Sequence, residues 1–402
     1  NVPDEVVSAY GGDRPRYGKD YIIPSTFDPR LINVIPLAVA KAAMKSGVAR
    51  KKIKNFDIYS EQLKQRLDPS VTIMQGINSQ IKKNQKKVVF ADGEDENTLK
   101  AAIAFKNSNL GIPILVAKDK VVRDRLKEIG YSENFDIEII NSTKKKLRQK
   151  YSKYIFNKLH RSEGLLEKDC ERLVRNDRVI WGSCMVACGD ADAMVTGNTR
   201  RYVQSLNKII KVVDPRPGEI MFGLNMIVNK GRTVFIGDTS VHEYPSSEQL
   251  AEIAISSARV VRLFGFTPKV AFLSHSTFGQ PMTSRTKHIR DAVEILKNKR
   301  VDFKFDGDMQ PDVALNEEYK ELYPMSEIVG NANVLIMPGQ HSAAISYKIM
   351  KSMSSSKVIG PLLIGLGAAI EIAPLRCSTS EILNLASVAA YSAGVINYNK
   401  KN

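Results

Sequence analysis

Four cysteines (Cys170, Cys184, Cys188 and Cys377) in 402 residues are too few to form a disulfide scaffold. Cys184 and Cys188 stand at helical i,i+4 spacing, but no nearby histidine or further cysteine completes a zinc set. They read as reduced core thiols. No uninterrupted apolar run approaches the roughly 20 residues needed to span a bilayer. The opening Asn1-Val-Pro-Asp-Glu-Val6 lacks the basic and apolar regions of a secretory leader. No internal repeat is visible, and no serine–histidine pair has the context of a triad. These absences predict a soluble, cytoplasmic protein with no membrane partner.

What is present is an ordinary globular composition, 43% hydrophobic and 25% charged, long enough for roughly two or three domains. The net charge of +16 invites a nucleic-acid reading. Its lysines cluster in Arg50-Lys-Lys-Ile-Lys54, Lys82-Lys-Asn-Gln-Lys-Lys87, Lys144-Lys-Lys146 and Lys400-Lys401. These clusters have few aromatics for base stacking and match no reader motif, so they read as solvated helix faces and no nucleic-acid partner is expected. A positive field still favours an anionic small ligand.

Residues 1–60 are broken by Pro24, Pro29 and Pro36, with a short helix over 37–44 ended by Ser46-Gly47. From Val88 onward, apolar runs alternate with amphipathic ones. Strands are predicted over 88–91, 113–117, 135–140 and 193–197, and helices over 95–107, 121–129, 143–175, 181–189 and 202–210. Asp214-Pro-Arg-Pro-Gly218 marks a boundary. Beyond it come strands over 220–228 and 233–236 joined by a turn at Asn229-Lys-Gly231. A helix over 246–264 is announced by the capping pattern Ser246-Ser-Glu-Gln249. Further strands fall at 269–273, 303–305, 334–337, 358–364 and 370–372, with helices over 285–299 and 379–395. This alternation predicts an α/β protein with mostly parallel sheets sandwiched by helices in two lobes.

The most informative stretch is Lys269-Val-Ala-Phe-Leu-Ser-His-Ser-Thr-Phe-Gly279, a buried strand breaking into a hydroxyl-rich loop before a helix. Open α/β sheets place ligands at such loops. Other polar strand-end tips are Asp92-Gly-Glu-Asp95, Thr196-Gly-Asn-Thr-Arg200, Asp306-Gly-Asp308 and Pro338-Gly-Gln-His-Ser342. In a parallel sheet they converge on one edge. Gly365-Leu-Gly-Ala-Ala-Ile370 imitates a dinucleotide fingerprint, but its third glycine is missing and a strand follows it. Asp306 and Asp308 read as turn-formers rather than magnesium ligands, and no metal site is expected.

The stretches Val88-Val-Phe-Ala-Asp-Gly-Glu-Asp-Glu96, Val195-Thr-Gly197, 273–279, Asp306-Gly-Asp308, Ala332-Asn-Val-Leu-Ile-Met-Pro338 and Ile359-Gly-Pro-Leu-Leu-Ile-Gly365 resemble phosphate acetyltransferases (phosphotransacetylases) from about Val71 to the end. Val2-Pro-Asp-Glu-Val6, Tyr21-Ile-Ile-Pro24, Phe27-Asp-Pro-Arg-Leu31 and Val39-Ala-Lys-Ala-Ala-Met44 look instead like the end of a bacterial malic enzyme module. That order resembles the hybrid NADP-dependent malic enzymes, which carry a phosphotransacetylase-like tail. The resemblance implies a C-terminal piece of such an enzyme: residues 1–60 end the malic module, 61–212 with 357–402 form one lobe, and 213–356 form the other. The NADP, the divalent metal and malate oxidation would belong to a preceding malic domain, and no cofactor is expected here.

Phosphotransacetylases resemble one another in an Asn-Asp-Leu-Ser-Arg-Gly-Cys-Ser stretch whose serine and arginine belong to the active site. Here the stretch becomes Glu371-Ile-Ala-Pro-Leu-Arg-Cys-Ser378, with Pro374 at the serine position and Leu375 at the arginine position. Arg376 stands one place on, and Glu381 falls near a family carboxylate. Proline offers neither hydroxyl nor N–H, and leucine cannot balance phosphate charge, so no catalytic residue is assigned. The resemblance implies acetyl-CoA binding at Thr196, Gly197, Asn198, Thr199, Arg200, Ser274, Ser276, Thr277, Gln340, His341, Lys348, Pro374 and Leu375. It further implies a homodimer, within a larger homo-oligomer of the parent, whose acetyl-CoA site regulates the malic domain. The alternatives are an active phosphate acetyltransferase and a purely structural dimerisation tail.

Overall fold

The computed structural model describes residues 31–53, 55, 56, 59, 60, 63, 69–132, 134–229, 232–354 and 356–399. The malic-like motifs before residue 31 and the predicted 229–231 turn lie wholly or partly outside them. The chain divides into two compact units, 1–73 with 228–232 and the remainder. The smaller contributes helix α1 (Leu31–Lys45), where Lys41 Nζ sits 5.4 Å from the Phe56 ring centroid. Helix α2 (Pro69–Lys83) follows.

The larger unit carries two sheets. In chain order come β1 (Lys86–Phe90), α3 (Glu96–Asn107), β2 (Gly111–Val116), α4 (Asp119–Glu128) and β3 (Glu138–Ile140). Next are α5 (Lys145–Glu163), α6 (Glu167–Asn176), α7 (Arg178–Ala187), β4 (Ala193–Thr196) and α8 (Tyr202–Val212). Then follow β5 (Phe222–Asn229), β6 (Arg232–Gly237), α9 (Ser247–Leu263), β7 (Lys269–Leu273), α10 (Ser284–Lys299) and β8 (Lys304–Met309). After α11 (Pro311–Leu315) and a 3₁₀ turn (Glu317–Lys320) come β9 (Val334–Ile336), α12 (Gln340–Met353), β10 (Lys357–Ile364), β11 (Ala369–Ile372) and α13 (Thr379–Asn399).

The first sheet has the order β11-β4-β1-β2-β3, and every neighbouring pair is parallel. The second runs β10-β5-β6-β9-β7-β8, with β6–β9, β9–β7 and β7–β8 parallel. Helices cover the faces, so strands such as β4 are buried throughout and read as continuous apolar runs. The chain returns to the first sheet between Ile364 and Ala369, because β10 closes the edge of the second. An edge is where a strand tolerates Pro361, which has no N–H to give a ladder.

Around the first sheet, Val89, Ile114, Ile370 and Ile372 pack with Tyr151 and Trp181, whose rings meet edge to face at 5.0 Å. Ile236, Ala271, Leu273 and Leu335 pack with Val313 and Val329 in the second lobe's core. Caps set the helix starts. Asp95 accepts from Thr98 N at 2.9 Å, and Ser246 forms the expected reciprocal box with Gln249. The long helix expected over 143–175 is two helices, because Gly164 takes the left-handed conformation (φ 67°) and ends α5.

Candidate ligand site

The carboxyl ends of β1, β4 and β11 meet at one buried carboxylate. Asp92, 1% exposed, follows β1 and accepts from Gly197 N (2.8 Å), Thr199 Oγ1 (2.6 Å) and Thr196 Oγ1 (3.2 Å). Arg178 Nε lies 3.7 Å from Asp92 Oδ1, the oxygen that also accepts from Thr199. A carboxylate collecting donors from a single loop fixes that loop's shape. Asn198 adds a bond from Nδ2 to Asp95 at 2.7 Å, tying the loop to the start of α3.

This loop is stitched to the one after β11. Ala373 N donates to Thr196 O at 2.6 Å, and Arg376 N donates to Asn198 O at 3.1 Å. The loop Thr196, Gly197, Asn198, Thr199 and Arg200 is thus linked through its backbone to the loop that carries Pro374 and Leu375. Leu375 is 52% exposed. Gly197 has φ +112°, and a Cβ there would stand 2.4 Å from Ala373 O, so only glycine permits so close an approach. Further along the loop Cys377 is buried, and burial pushes its thiol up to about 12. Burial also raises the Glu381 carboxyl, but bonds from Lys351 and Ser378 outweigh it and leave Glu381 below its ordinary value.

A second carboxylate organises the other sheet. Asp308, fully buried, accepts from Ser276 Oγ and from Gly279 N at 3.1 Å. Ser274 and Ser276 share a hydroxyl contact of 2.9 Å, and Thr277 Oγ1 accepts from Gln310 N at 3.2 Å. The serines thus hold an internal network with Asp308. Asp306-Gly-Asp308, expected as a loop tip, lies inside β8. Among the described residues no group of three or more His, Cys, Asp or Glu is placed to hold a metal ion.

Gln340 and His341 open α12, and Gln340 N donates to His242 O at 2.9 Å. Lys348 is exposed one to two turns further on, its Nζ 5.9 Å from the Tyr347 ring centroid. No hydrogen bond joins these three, among the described residues, to the loops after β4 or β7. Sequence reading does not single out Asp238, whose carboxylate accepts from the backbone N–H groups of Gly223, Ser240, Val241 and His242 and contacts His242 Nδ1 at 2.8 Å. The available signal was the break from an apolar run into Gly237-Asp-Thr-Ser240, the same pattern as at 273–276. Tyr202 is half-buried, its hydroxyl enclosed near Ser240 and Glu371, and burial drives its phenol upward.

The five-stranded sheet's carboxyl edge also opens into a cavity of about 260 Å³ walled by Lys118, Arg175, Arg178, Trp181 and Arg200. It sits at the start of α7, where Asp177 accepts from Val179 N and Ile180 N and pairs with Arg200 at 3.4 Å. Four cations against Glu94 and Asp177 give this wall a positive excess suited to phosphate or another anion. The sequence does not single out Lys118, Arg175 or Arg178: Lys118 follows a strand whose end carries no glycine or hydroxyl cluster, and the other two sit at a junction between helices.

Two mostly parallel sheets with polar loops gathered at their carboxyl ends define an α/β protein of phosphotransacetylase type. The chain belongs to the phosphate acetyl/butaryl transferase family, whose model matches residues 72–390. It is 32% identical over 335 residues to the phosphate acetyltransferase of Thermoanaerobacterium thermosaccharolyticum, covering 80% of this chain and all of that protein. It is 44% identical over 395 residues to the NADP-dependent malic enzyme of Rhizobium meliloti, covering 98% of this chain. The chain spans about half (52%) of that relative's length. A phosphotransacetylase structure from Streptococcus pyogenes superposes with a TM-score of 0.74 at 26% identity, covering 81% of this chain and 99% of that one.

Proposed function

We propose that this chain is the non-catalytic, phosphotransacetylase-like part of an NADP-dependent malic enzyme, binding acetyl-CoA as an allosteric effector and supporting oligomerisation. The observation that carries the reading is the pair Pro374 and Leu375, standing where the resemblance expects a serine and an arginine, on a loop otherwise held to the β4 loop by two backbone hydrogen bonds. Acetyl transfer to phosphate needs a cation for the phosphate and a donor for the developing oxyanion. Proline and leucine supply neither. The frame for a ligand is kept, with the 196–200 loop anchored on Asp92 and cationic side chains at 118, 175, 178 and 200 beside it. In this reading the diphosphate or ribose phosphate of acetyl-CoA meets that positive wall and the thioester arm runs toward Pro374.

The parent would decarboxylate malate to pyruvate oxidatively, with NADP and a divalent metal held by its malic domain and this chain acting as a cytoplasmic homodimer within a larger assembly. Pyruvate leads to acetyl-CoA, so an acetyl-CoA sensor on such an enzyme closes a feedback. Regulation requires only that acetyl-CoA bind two states of the assembly with different affinity. The experiment is calorimetry with acetyl-CoA alongside an acetyl phosphate arsenolysis assay. Saturable heat without turnover is expected. Turnover within a few hundredfold of ordinary enzyme rates would identify an active transferase, with exposed Arg376 standing in for the missing arginine. Neither heat nor turnover would leave a dimerisation tail.

A further inference from the structure

A larger cavity, about 320 Å³, plays no part in that reading. It is walled by β10, β11, α13 and the C-terminal end of α9, and its sides are apolar, with Leu263, Phe264, Val388 and Val395 among them. Two features set it apart from a packing void. At depth stands Glu371, only 3% exposed, with one carboxyl oxygen accepting Leu363 N–H at 2.9 Å and the other without a hydrogen-bond partner among the described residues. At the mouth Glu219 lies between Arg259 (3.0 Å) and Arg216 (3.4 Å), and the exposure of Arg259, 50%, shows that this end faces water.

The chemistry of an occupant follows from this gradient. Two guanidiniums against one carboxylate leave a single positive charge at the rim, which suits a monoanion better than a phosphate dianion. The apolar walls suit a ring or branched chain. Burial holds the Glu371 carboxyl up to about 8, so near neutral pH it keeps its proton and can donate to an acceptor at the far end. A carboxyl buried beside empty space has a cost that an apolar residue would avoid.

We propose that this cavity binds a small monocarboxylic acid with an apolar body, its carboxylate at Arg259 and Arg216 and a hydroxyl or carbonyl at its far end against Glu371. The site is independent of the acetyl-CoA reading.

The test uses the 402-residue chain and three probes in calorimetry or ligand-observed NMR: 4-hydroxyphenylacetate, its neutral amide, and phenylacetate. Saturable binding of 4-hydroxyphenylacetate is expected, roughly tenfold or more tighter than the amide, because a charge-assisted bond is lost. Arg259→Ala, a change at the exposed rim, should weaken the acid by a similar factor and leave the amide unmoved. Glu371→Leu should erase the preference for the hydroxylated probe over phenylacetate. Val388→Trp, which fills the cavity, should abolish binding. The proposal is overturned by no saturation at about 5 mM probe, or by binding that survives both Arg259→Ala and Val388→Trp. It is equally overturned if the chain self-associates in sedimentation and Val388→Trp disperses the assembly, since a second copy would then occupy the cavity.

Discussion

Glu371 shows how one side chain can dominate a pH profile. Burial lifts its carboxyl from the ordinary 4.5 to about 8, and the Leu363 N–H only partly offsets that. An unfolded Glu371 releases its proton near 4.5, while the folded one keeps it until about pH 8. Between those values the native state binds the extra proton, so this residue makes unfolding easier as pH rises, and the effect levels off above pH 8. Glu371→Gln keeps an acceptor for Leu363 and cannot ionise. Its stability relative to the parent should therefore climb between pH 5 and pH 8.5, by on the order of a few kcal/mol, with Arg216, Glu219, Arg259, Tyr391 and half-buried Tyr202 as neighbouring charged or titratable groups. Denaturant melts at the two pH values would expose the error if the difference stayed flat. Gly197 makes a different demand, for backbone room. Gly197→Ala combines an unfavourable φ with a Cβ driven onto Ala373 O, and should cost about 2–4 kcal/mol. A measured loss below about 1 kcal/mol would mean that the two loops part easily.

At the scale of elements, most of the fold is legible because many of its strands are buried on both faces and several of its helices carry a side-chain cap. The runs at 88–91, 193–197 and 269–273 became β1, β4 and β7, and the Ser246 signature marked the start of α9. Helix α12 was not legible. Its Ser342, Ser346 and Ser352 dilute the periodicity, and it starts from Gly339 without a side-chain cap. The sequence pattern ends β8 at 305, four residues before Met309, because Asp306, Gly307 and Asp308 look like turn residues until Asp308 is seen serving the β7 loop. The candidate site divides the same way. The 196–200 loop and its neighbours 374 and 375 are readable from motifs, and the Asp238 turn carries a strand-end signal of the same kind, whereas the cations at 118, 175 and 178 depend on proximity that no local pattern encodes. The loop after β11 is also where an element-scale gain can be tested. Pro374→Ser with Leu375→Arg returns a hydroxyl and a guanidinium to a loop whose backbone is already anchored on Thr196 and Asn198. Arsenolysis should rise by at least roughly tenfold over the parent chain, since one oriented donor is worth on the order of 10²-fold when the rest of a site is in place. No rise would show that the frame, and not only these two side chains, has left the catalytic geometry.

For the molecule as a whole, the relevant quantity is charge. A net +16 spread over 402 residues gives a field that acts on any anion, while the wall of Lys118, Arg175, Arg178 and Arg200 acts at contact. The two contributions separate by salt, because the Debye length shrinks from about 10 Å at 0.1 M to about 3 Å at 1 M and screens exposed charges first. Acetyl-CoA carries several phosphate charges and should bind progressively more weakly from low to high salt, with a dissociation constant rising roughly tenfold across that range, equivalent to about 1.4 kcal/mol. Pantetheine lacks those phosphates, so whatever affinity it has should hardly change. Arg178→Ala removes one contact charge beside Asp92 and should flatten the acetyl-CoA slope as well as weaken binding. A salt-independent acetyl-CoA affinity, or an unaltered slope in Arg178→Ala, would place the nucleotide end away from this wall and reduce the basic surface to a general solubility device.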